Sequence, residues 1–228
     1  MTKAALLAFV LTATTVRLLA NPRFVPDSKE THARLVGEDV RVKVGIDSAE
    51  LDGLYEFELS GEATSRWGGN YYKMQLPVYC LTAERKFLDQ FQARYVPRCW
   101  IEDKQYDFTY AGASTNSDGP LKYLASMIWF NAKIHRSVGK RFVVHITYRQ
   151  PYLRVRGEKL FAYYPIITGE SPYPKAIGTR YQLRLNRDQG TALDIKSGKG
   201  KREGDGIVFE CRPFEEILVA VHKAPNPT

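Results

Sequence analysis

Short runs in which hydrophobic and polar residues alternate recur along most of the chain. In residues 40–46, branched apolar side chains occupy every second position, with two bases and a glycine between them. A period of two places one set of side chains on each face of a β-strand, so this run predicts a half-buried strand. Eight further runs have the same pattern: residues 55–59, 74–80, 106–110, 142–148, 160–166, 181–185, 207–211 and 217–221.

The segments between these runs are rich in turn-forming residues. Gly-Gly-Asn at 68–70, Ser-Asp-Gly-Pro at 117–120 and Gly-Asp-Gly at 204–206 are examples. Many short strands separated by such turns are typical of antiparallel β-sandwiches and barrels, and not of parallel strands that alternate with helices. The pattern therefore predicts an all-β fold made of one or more antiparallel β-sandwiches.

Two segments depart from the period of two. Residues 84–95 and 121–130 place apolar side chains at helical spacing, such as Phe87 and Phe91 in the first segment and Leu124 and Met127 in the second. We predict one or two short helices there. Strands that are apolar on both faces are the alternative, because periodicity does not distinguish short apolar runs.

The clearest change of composition in the middle of the chain lies at residues 113–120, which are small and polar throughout. As a linker or loop, this segment would divide a first β-module, residues 35–112, from a second one, residues 121–224. Each module would have the size at which a small sandwich becomes stable. One single β-sandwich over residues 35–224 is the alternative.

The N-terminus has the three parts of a secretory signal peptide. Lys3 precedes thirteen uncharged residues, and Ala20 stands before a polar stretch that contains Pro22. We predict a signal peptide over residues 1–20, with cleavage after Ala13 as the alternative, followed by a leader over residues 21–34. The apolar part is shorter than the roughly 20 residues of a membrane-spanning helix, so we expect a secreted or periplasmic chain without a transmembrane segment.

Composition narrows the class of protein without identifying it. The chain has 228 residues, 33 Lys and Arg against 25 Asp and Glu, and 44% hydrophobic residues. These values exclude a disordered tail, a fibre and a disulfide-dense miniature scaffold. The net charge of +8 would permit nucleic-acid binding, but no signature of a nucleic-acid-binding fold accompanies it, and we expect no such partner.

Three cysteines in an exported chain favour one disulfide. Cys80 and Cys99 lie in the same predicted module, whereas Cys211 lies far downstream. A bridge between Cys80 and Cys99 would close a short loop and stabilise the fold by roughly 3 kcal/mol. The alternative is that all three are small buried hydrophobic residues in the reduced form.

The sequence contains no pattern that indicates nucleophilic, phosphate-binding or metal-dependent chemistry. No Gly-x-Ser-x-Gly, Cys-x-x-Cys or His-Glu-x-x-His occurs, so we predict no catalytic nucleophile, no metal site and no cofactor. His145 lies between Val144 and Ile146, on the side of its strand opposite the apolar face. We expect it at a solvent or interface position.

Two surface features are candidates for ligand binding. The first is a flexible turn with three large aromatic residues, whose rings could stack on sugars or anchor a partner protein: Trp67, Tyr71 and Tyr72. The second is a basic, glycine-rich segment: Lys196, Lys199, Lys201 and Arg202. We expect the apolar runs on either side of the second segment to pair as a hairpin and to extend the bases into water.

The sequence therefore predicts an exported, non-enzymatic β-sandwich protein that binds an envelope component, a protein partner or an acidic glycan. The alternative is a carbohydrate-active enzyme, a glycosidase or lyase on a jelly-roll-like sandwich, because two facing carboxylates leave no local motif. Candidate carboxylates lie on or beside predicted strands: Glu56, Glu58, Glu210, Glu215 and Glu216.

Overall fold

The computed structural model describes residues 23–25, 32–60, 71–80, 96–116, 125–135, 138–163, 181–211 and 216–225. These residues form strands and turns and contain no helix, which confirms the predicted all-β fold. The strands are β1 (Arg23–Val25), β2 (His32–Val44), β3 (Ser48–Ser60), β4 (Tyr71–Cys80), β5 (Arg98–Ile101), β6 (Lys104–Asp107), β7 (Thr109–Asn116), β8 (Ala125–His135), β9 (Arg141–Pro151), β10 (Leu153–Val155), β11 (Glu158–Tyr163), β12 (Tyr181–Arg187), β13 (Thr191–Ser197), β14 (Gly200–Glu203), β15 (Gly206–Glu210) and β16 (Ile217–Lys223).

The strands are arranged in three sheets. The large sheet has eight strands in the order β14-β15-β12-β2-β3-β9-β5-β6. Two four-stranded sheets accompany it, the β16 sheet in the order β10-β11-β16-β13 and the β4 sheet in the order β1-β4-β8-β7. Neighbouring strands are antiparallel throughout, except that β2 and β12 run parallel.

One face of the large sheet, its inner face, packs into the hydrophobic core. Val40 and Val42 of β2 and Phe57 of β3 are completely buried, as their alternation with polar residues predicts. In the β16 sheet, consecutive residues are buried around Phe161 and Ala220. Side chains on both faces of β11 and β16 are therefore buried. The β16 sheet therefore contributes central strands to the core.

Polar groups between the large sheet and the β16 sheet find partners within the core. The amide of Gln150 donates a hydrogen bond to the carbonyl of Ala162 at 2.8 Å. The hydroxyl of Tyr163 donates to a carboxylate oxygen of Glu38 at 3.4 Å, and both residues are buried. These bonds connect the two sheets. They also give Gln150 and Tyr163 partners, and a buried polar group without a partner would destabilise the fold.

Gly53 makes a close approach to an aromatic ring. A Cβ atom at this position would lie 2.5 Å from Cε2 of Tyr55, which is fully buried on the same face of β3. The ring of Tyr55 therefore covers the space that a side chain at position 53 would need. This contact explains a glycine in the middle of a long central strand.

One of the predicted helices is wrong. Residues 125–130 of the segment predicted as helical belong to β8, which pairs with β4 on one side and β7 on the other. Backbone hydrogen bonds to two neighbouring strands stabilise this conformation. The strand also buries every second side chain from Ile128 to Ile134, so both effects outweigh the helical spacing of apolar residues. The other segment, residues 84–95, lies outside the described residues.

The predicted linker and leader also contain strand residues. Residues 113–116 are the last part of β7, and residues 23–25 pair with Lys73–Gln75 of β4 as β1. The large sheet takes strands from both sides of the predicted linker, and the division into one or two domains stays a prediction. The predicted signal peptide, residues 1–20, lies outside the described residues.

Candidate functional site

The outer face of the large sheet consists of the side chains that alternate with the buried ones. Since the register continues across all eight strands, these side chains form rows across the sheet. One row, here called the Arg98 row, has a residue from every strand: Lys201, Val208, Arg184, Arg41, Asp52, Thr147, Arg98 and Asp107. At about 4.8 Å per strand the row is roughly 34 Å long, and its bases outnumber its acids.

The neighbouring row contains an oriented aromatic ring. Trp100 of β5 lies directly opposite His145 of β9, with ring centroids 5.2 Å apart and an angle of 31° between the ring planes. Nε2 of His145 lies 2.7 Å from Oδ1 of Asp52. The carboxylate positions the imidazole, and the imidazole ring lies against the half-buried indole. The result is a tryptophan ring held at the surface of a long sheet.

The other apolar side chains of this face are isolated among polar ones. Leu54 is 44% exposed and lies opposite His145, and Val143 is 46% exposed and lies opposite Glu56. Broad contacts between proteins usually have an apolar centre from which charges are depleted. The outer face instead alternates single apolar groups with hydrogen-bonding and charged groups.

The outward carboxylates of β3 are held by bases of β9. Glu50 pairs with Arg149, and Glu56 accepts a hydrogen bond from Nε of Arg141 at 2.5 Å. This bond is the main cause that raises the pKa of the Arg141 guanidinium. A glycosidase needs one carboxyl group that carries a proton, and an adjacent arginine favours the charged form of a carboxylate instead.

Of the remaining candidate carboxylates, Glu58 lies beside one of these pairs. It stands directly opposite Arg141 on β9, and its charge also raises the pKa of that guanidinium. Glu210 is exposed on β15, at the far side of the large sheet from β9. Glu216 is half-buried, and burial raises the pKa of its carboxyl. Residue 215 lies outside the described residues, and the carbohydrate-active enzyme stays a prediction.

A groove of about 370 Å³ lies beside Trp100, where β5 begins next to β9. It is open to solvent, and both guanidinium groups at this end of the sheet line it, Arg98 and Arg149, together with Thr147. The volume is in the range of pockets that bind small ligands. Trp100 does not line the groove; it follows Arg98 by two residues on the same face of β5.

The structure separates the predicted aromatic cluster. Tyr71 is 50% exposed, and its ring contacts the ring of His135 edge-on at 5.4 Å. Tyr72 is buried in the core on the opposite face of β4. Residue 67 lies outside the described residues. Of the two tyrosines of this cluster, therefore, only Tyr71 faces solvent.

The bases of the predicted segment point in different directions. Lys196 of β13 bonds to Glu158 at 3.1 Å, Lys201 of β14 lies in the Arg98 row, and Lys199 is exposed between the two strands. Arg202 faces the β16 sheet and donates to the carbonyl of Leu193 at 2.8 Å. Alternation along the chain disperses bases that are adjacent in sequence.

The hairpin predicted around these bases is wrong. β13 pairs with β16, whereas β14 pairs with β15, so the chain crosses from one sheet to another between β13 and β14. Gly198 has a φ of 95°, and a Cβ atom on Gly200 would lie 2.7 Å from the ring of Phe209. The glycines thus allow a tight crossing that packs against the core, rather than a loop that extends into water.

The predicted disulfide is also wrong. Cys99 is a free, completely buried thiol, and burial raises its pKa from 9.0 to about 12. It points inward from β5 between Tyr106 and Ile146 of the large sheet, while Cys80 ends β4 in another sheet. A short separation in sequence does not place two cysteines together when their strands join different sheets.

Sequence analysis missed two residues of this site, Trp100 and Arg98. The available signal was the alternation of Trp100 with Cys99 and Ile101, which marks it as outward-facing. The expectation for His145 is confirmed, since its side chain is partly exposed on the outer face.

No group of three or more His, Cys, Asp or Glu side chains among the described residues is placed to hold a metal ion. Within the same part of the chain, no helix has the length and hydropathy to cross a membrane.

The chain resembles known proteins in structure but not in sequence. No protein-family model and no curated protein sequence matches it. A proposed nutrient binding protein of Legionella pneumophila is similar over 90% of this chain and 70% of that chain, with 11% identity and a TM-score of 0.49.

Two enzymes are also similar. The leukotriene A4 hydrolase of Saccharomyces cerevisiae matches 89% of this chain and 31% of its own, with 8% identity and a TM-score of 0.44. The M1 zinc metallopeptidase of Deinococcus radiodurans matches 82% of this chain and 42% of its own, with 8% identity and a TM-score of 0.34. The chain spans less than half of either enzyme. At such identities and TM-scores these likenesses assign no function to it.

Proposed function

We propose that the chain is an exported, non-enzymatic protein that binds a glycan through the outer face of the large sheet, around Trp100. The observation that carries this proposal is the indole ring itself, which is half-buried and contacts the ring of His145, which Asp52 holds in place. Flat aromatic rings bind the apolar faces of sugars, and a ring that is already oriented loses little conformational entropy on binding.

The surroundings of the ring favour a sugar over a partner protein. Polar side chains flank Trp100 on both sides of its row, Gln105 on β6 and His145 on β9. Such groups can exchange hydrogen bonds with sugar hydroxyls. The exposed apolar residues of this face are single, whereas a protein interface would need a continuous apolar centre. Export is supported by the signal-peptide pattern in residues 1–20.

The proposal is tested by titrating the protein with a panel of neutral and acidic oligosaccharides while tryptophan fluorescence is recorded. Trp100→Ala should weaken binding by about tenfold or more, as expected when one good ring contact is lost. Tyr110→Ala is the matched control, because it removes another exposed ring, which lies on β7 in the β4 sheet.

Circular dichroism establishes that both variants fold, and calorimetry measures binding to the Trp100→Ala variant independently of its fluorescence. A folded Trp100→Ala variant that binds like the unchanged protein would contradict the proposal. A loss with Tyr71→Ala instead would move the site to the β4 sheet, where the sequence predicts it. If no glycan of the panel binds, the proposed function is wrong.

A further inference from the structure

The groove beside Trp100 contains a guanidinium without a described ionic partner. Arg149 is paired with Glu50, so its charge is already compensated. Arg98 is exposed, and no carboxylate of the described residues lies within ion-pair distance of it. Its neighbour in the row, Asp107, stands on the β6 side, whereas the groove lies on the β9 side. The groove therefore presents one uncompensated positive charge to a ligand.

The chemistry of Arg98 selects a planar anion. A guanidinium offers parallel N–H donors at the spacing of the two oxygens of a carboxylate. Thr147 lies directly opposite Arg98 on β9 and also lines the groove, where its hydroxyl can donate to or accept from a ligand. The groove thus combines a charged fork with a neutral hydrogen-bonding group.

The distance from this charge to the tryptophan ring fits one ligand that uses both. Arg98 and Trp100 project from the same face of β5, two residues apart, which corresponds to about 6.8 Å along the strand. A sugar stacked on the indole can place a carboxylate substituent at Arg98. We propose that the site binds an acidic sugar, with the carboxylate of a uronic acid residue at Arg98 and a sugar ring on Trp100. This inference rests on the proposed function of the same face.

The test compares acidic oligosaccharides with their own neutral derivatives. The probes are oligomers of galacturonic acid, alginate and hyaluronan, each measured against its carboxyl methyl ester by calorimetry. The protein should bind at least one acid roughly tenfold or more tightly than its ester, since a hydrogen-bonded charge contributes about that much. Arg98→Gln should abolish this preference, because acid and ester then meet the same neutral side chain.

Two further variants separate local recognition from overall charge. Arg154→Gln makes the same change of charge on an exposed arginine of β10, in the β16 sheet, and should retain the preference. Arg98→Lys keeps the charge but loses the fork, and should retain only part of the preference.

The possible failures distinguish this inference from the proposed function. If acid and ester bind equally and Trp100→Ala still abolishes binding, the face binds glycans but the inference about the acidic group is wrong. If Arg154→Gln reduces the preference as much as Arg98→Gln does, overall charge causes it and the inference is again wrong. If no oligosaccharide binds, both proposals are wrong.

Discussion

Along β3, side chains at odd positions enter the core and side chains at even positions face solvent. Leu51 and Phe57 are buried on the inner face, whereas Asp52 and Leu54 are exposed on the outer face of the same strand. The inner side chains pack against the β16 sheet and neighbouring strands, and the outer ones form charge pairs and the support of Trp100. The two faces of the same strand thus differ in role: the inner face forms the core, and the outer face carries the charged and aromatic groups.

The ionisable groups of the two faces differ in the same way. On the inner face, burial raises the pKa of Tyr55 well above the ordinary value of a phenol, and it raises that of Tyr148 too. Tyr163 of β11, which packs against this face from the β16 sheet, has its pKa raised in the same way. On the outer face, the pKa of Arg141 is raised chiefly by its hydrogen bond to Glu56. The inner groups resist becoming charged because water is absent, while the outer group holds its charge because a partner is present. Stability therefore depends on the inner face, and recognition is free to use the outer one.

The largest expected effect is alkaline unfolding caused by the inner face. Above pH 9 the unfolded chain releases protons that the folded chain retains on Cys99 and on the three buried tyrosines. Each retained proton lowers the free energy of unfolding by about 1.4 kcal/mol per pH unit. Stability should be unaffected by these groups below pH 9 and should fall steeply above it.

This prediction is measured by absorbance at 295 nm, which reports tyrosinate, together with near-ultraviolet circular dichroism. Ionisation of the buried tyrosines should coincide with loss of the dichroism signal. If all tyrosines ionise while the signal persists, the inner face is accessible to water and the contrast between the faces fails.

A smaller effect is expected from removing one ring of the inner face. Phe57 is fully buried and stacks on Phe142 of β9, with ring centroids 6.0 Å apart. Phe57→Ala should lower the free energy of unfolding in urea by about 3–5 kcal/mol, through lost burial and a residual cavity. Leu54→Ala on the outer face of the same strand is the control and should change it by less than about 0.5 kcal/mol. Equal losses for the two variants would refute the assignment of faces.

The assignment of faces is the part of the structure that the sequence predicts well. A period of two depends only on backbone geometry, so Phe57 and His145 could be assigned to their faces without knowledge of the neighbouring strands. The predicted helix at residues 121–130 failed because pairing on both sides of β8 is a long-range property. Local spacing of apolar residues does not contain that information.

The candidate site was less predictable for the same reason. Trp100 meets His145 because β5 pairs with β9, although these residues are far apart in sequence, and Asp52 joins them from β3. Conversely, Lys196 and Lys201 are close in sequence but lie in different sheets, because the chain crosses between β13 and β14. Proximity in sequence therefore predicted a basic cluster that the fold disperses. It could not predict the group formed by Trp100, His145 and Asp52.

The smallest expected effect tests the charge pairs of the outer face. The side chains of Asp52 and His145 are 60% and 39% exposed, so solvent screens their interaction. Asp52→Asn should change the free energy of unfolding by less than about 1 kcal/mol, and by less still in high salt. Asp107→Asn, on the edge strand β6, is the matched control for removing an exposed carboxylate from this face.

The same Asp52→Asn variant should affect recognition more than stability, because the carboxylate positions the imidazole that supports Trp100. We expect weaker glycan binding in titrations at an unchanged thermal midpoint, and Asp107→Asn should likewise leave the midpoint unchanged. A loss of stability above about 2 kcal/mol would exceed what an exposed pair contributes. It would mean that the outer face also holds the fold together, and the distinction between the two faces of β3 would have to be abandoned.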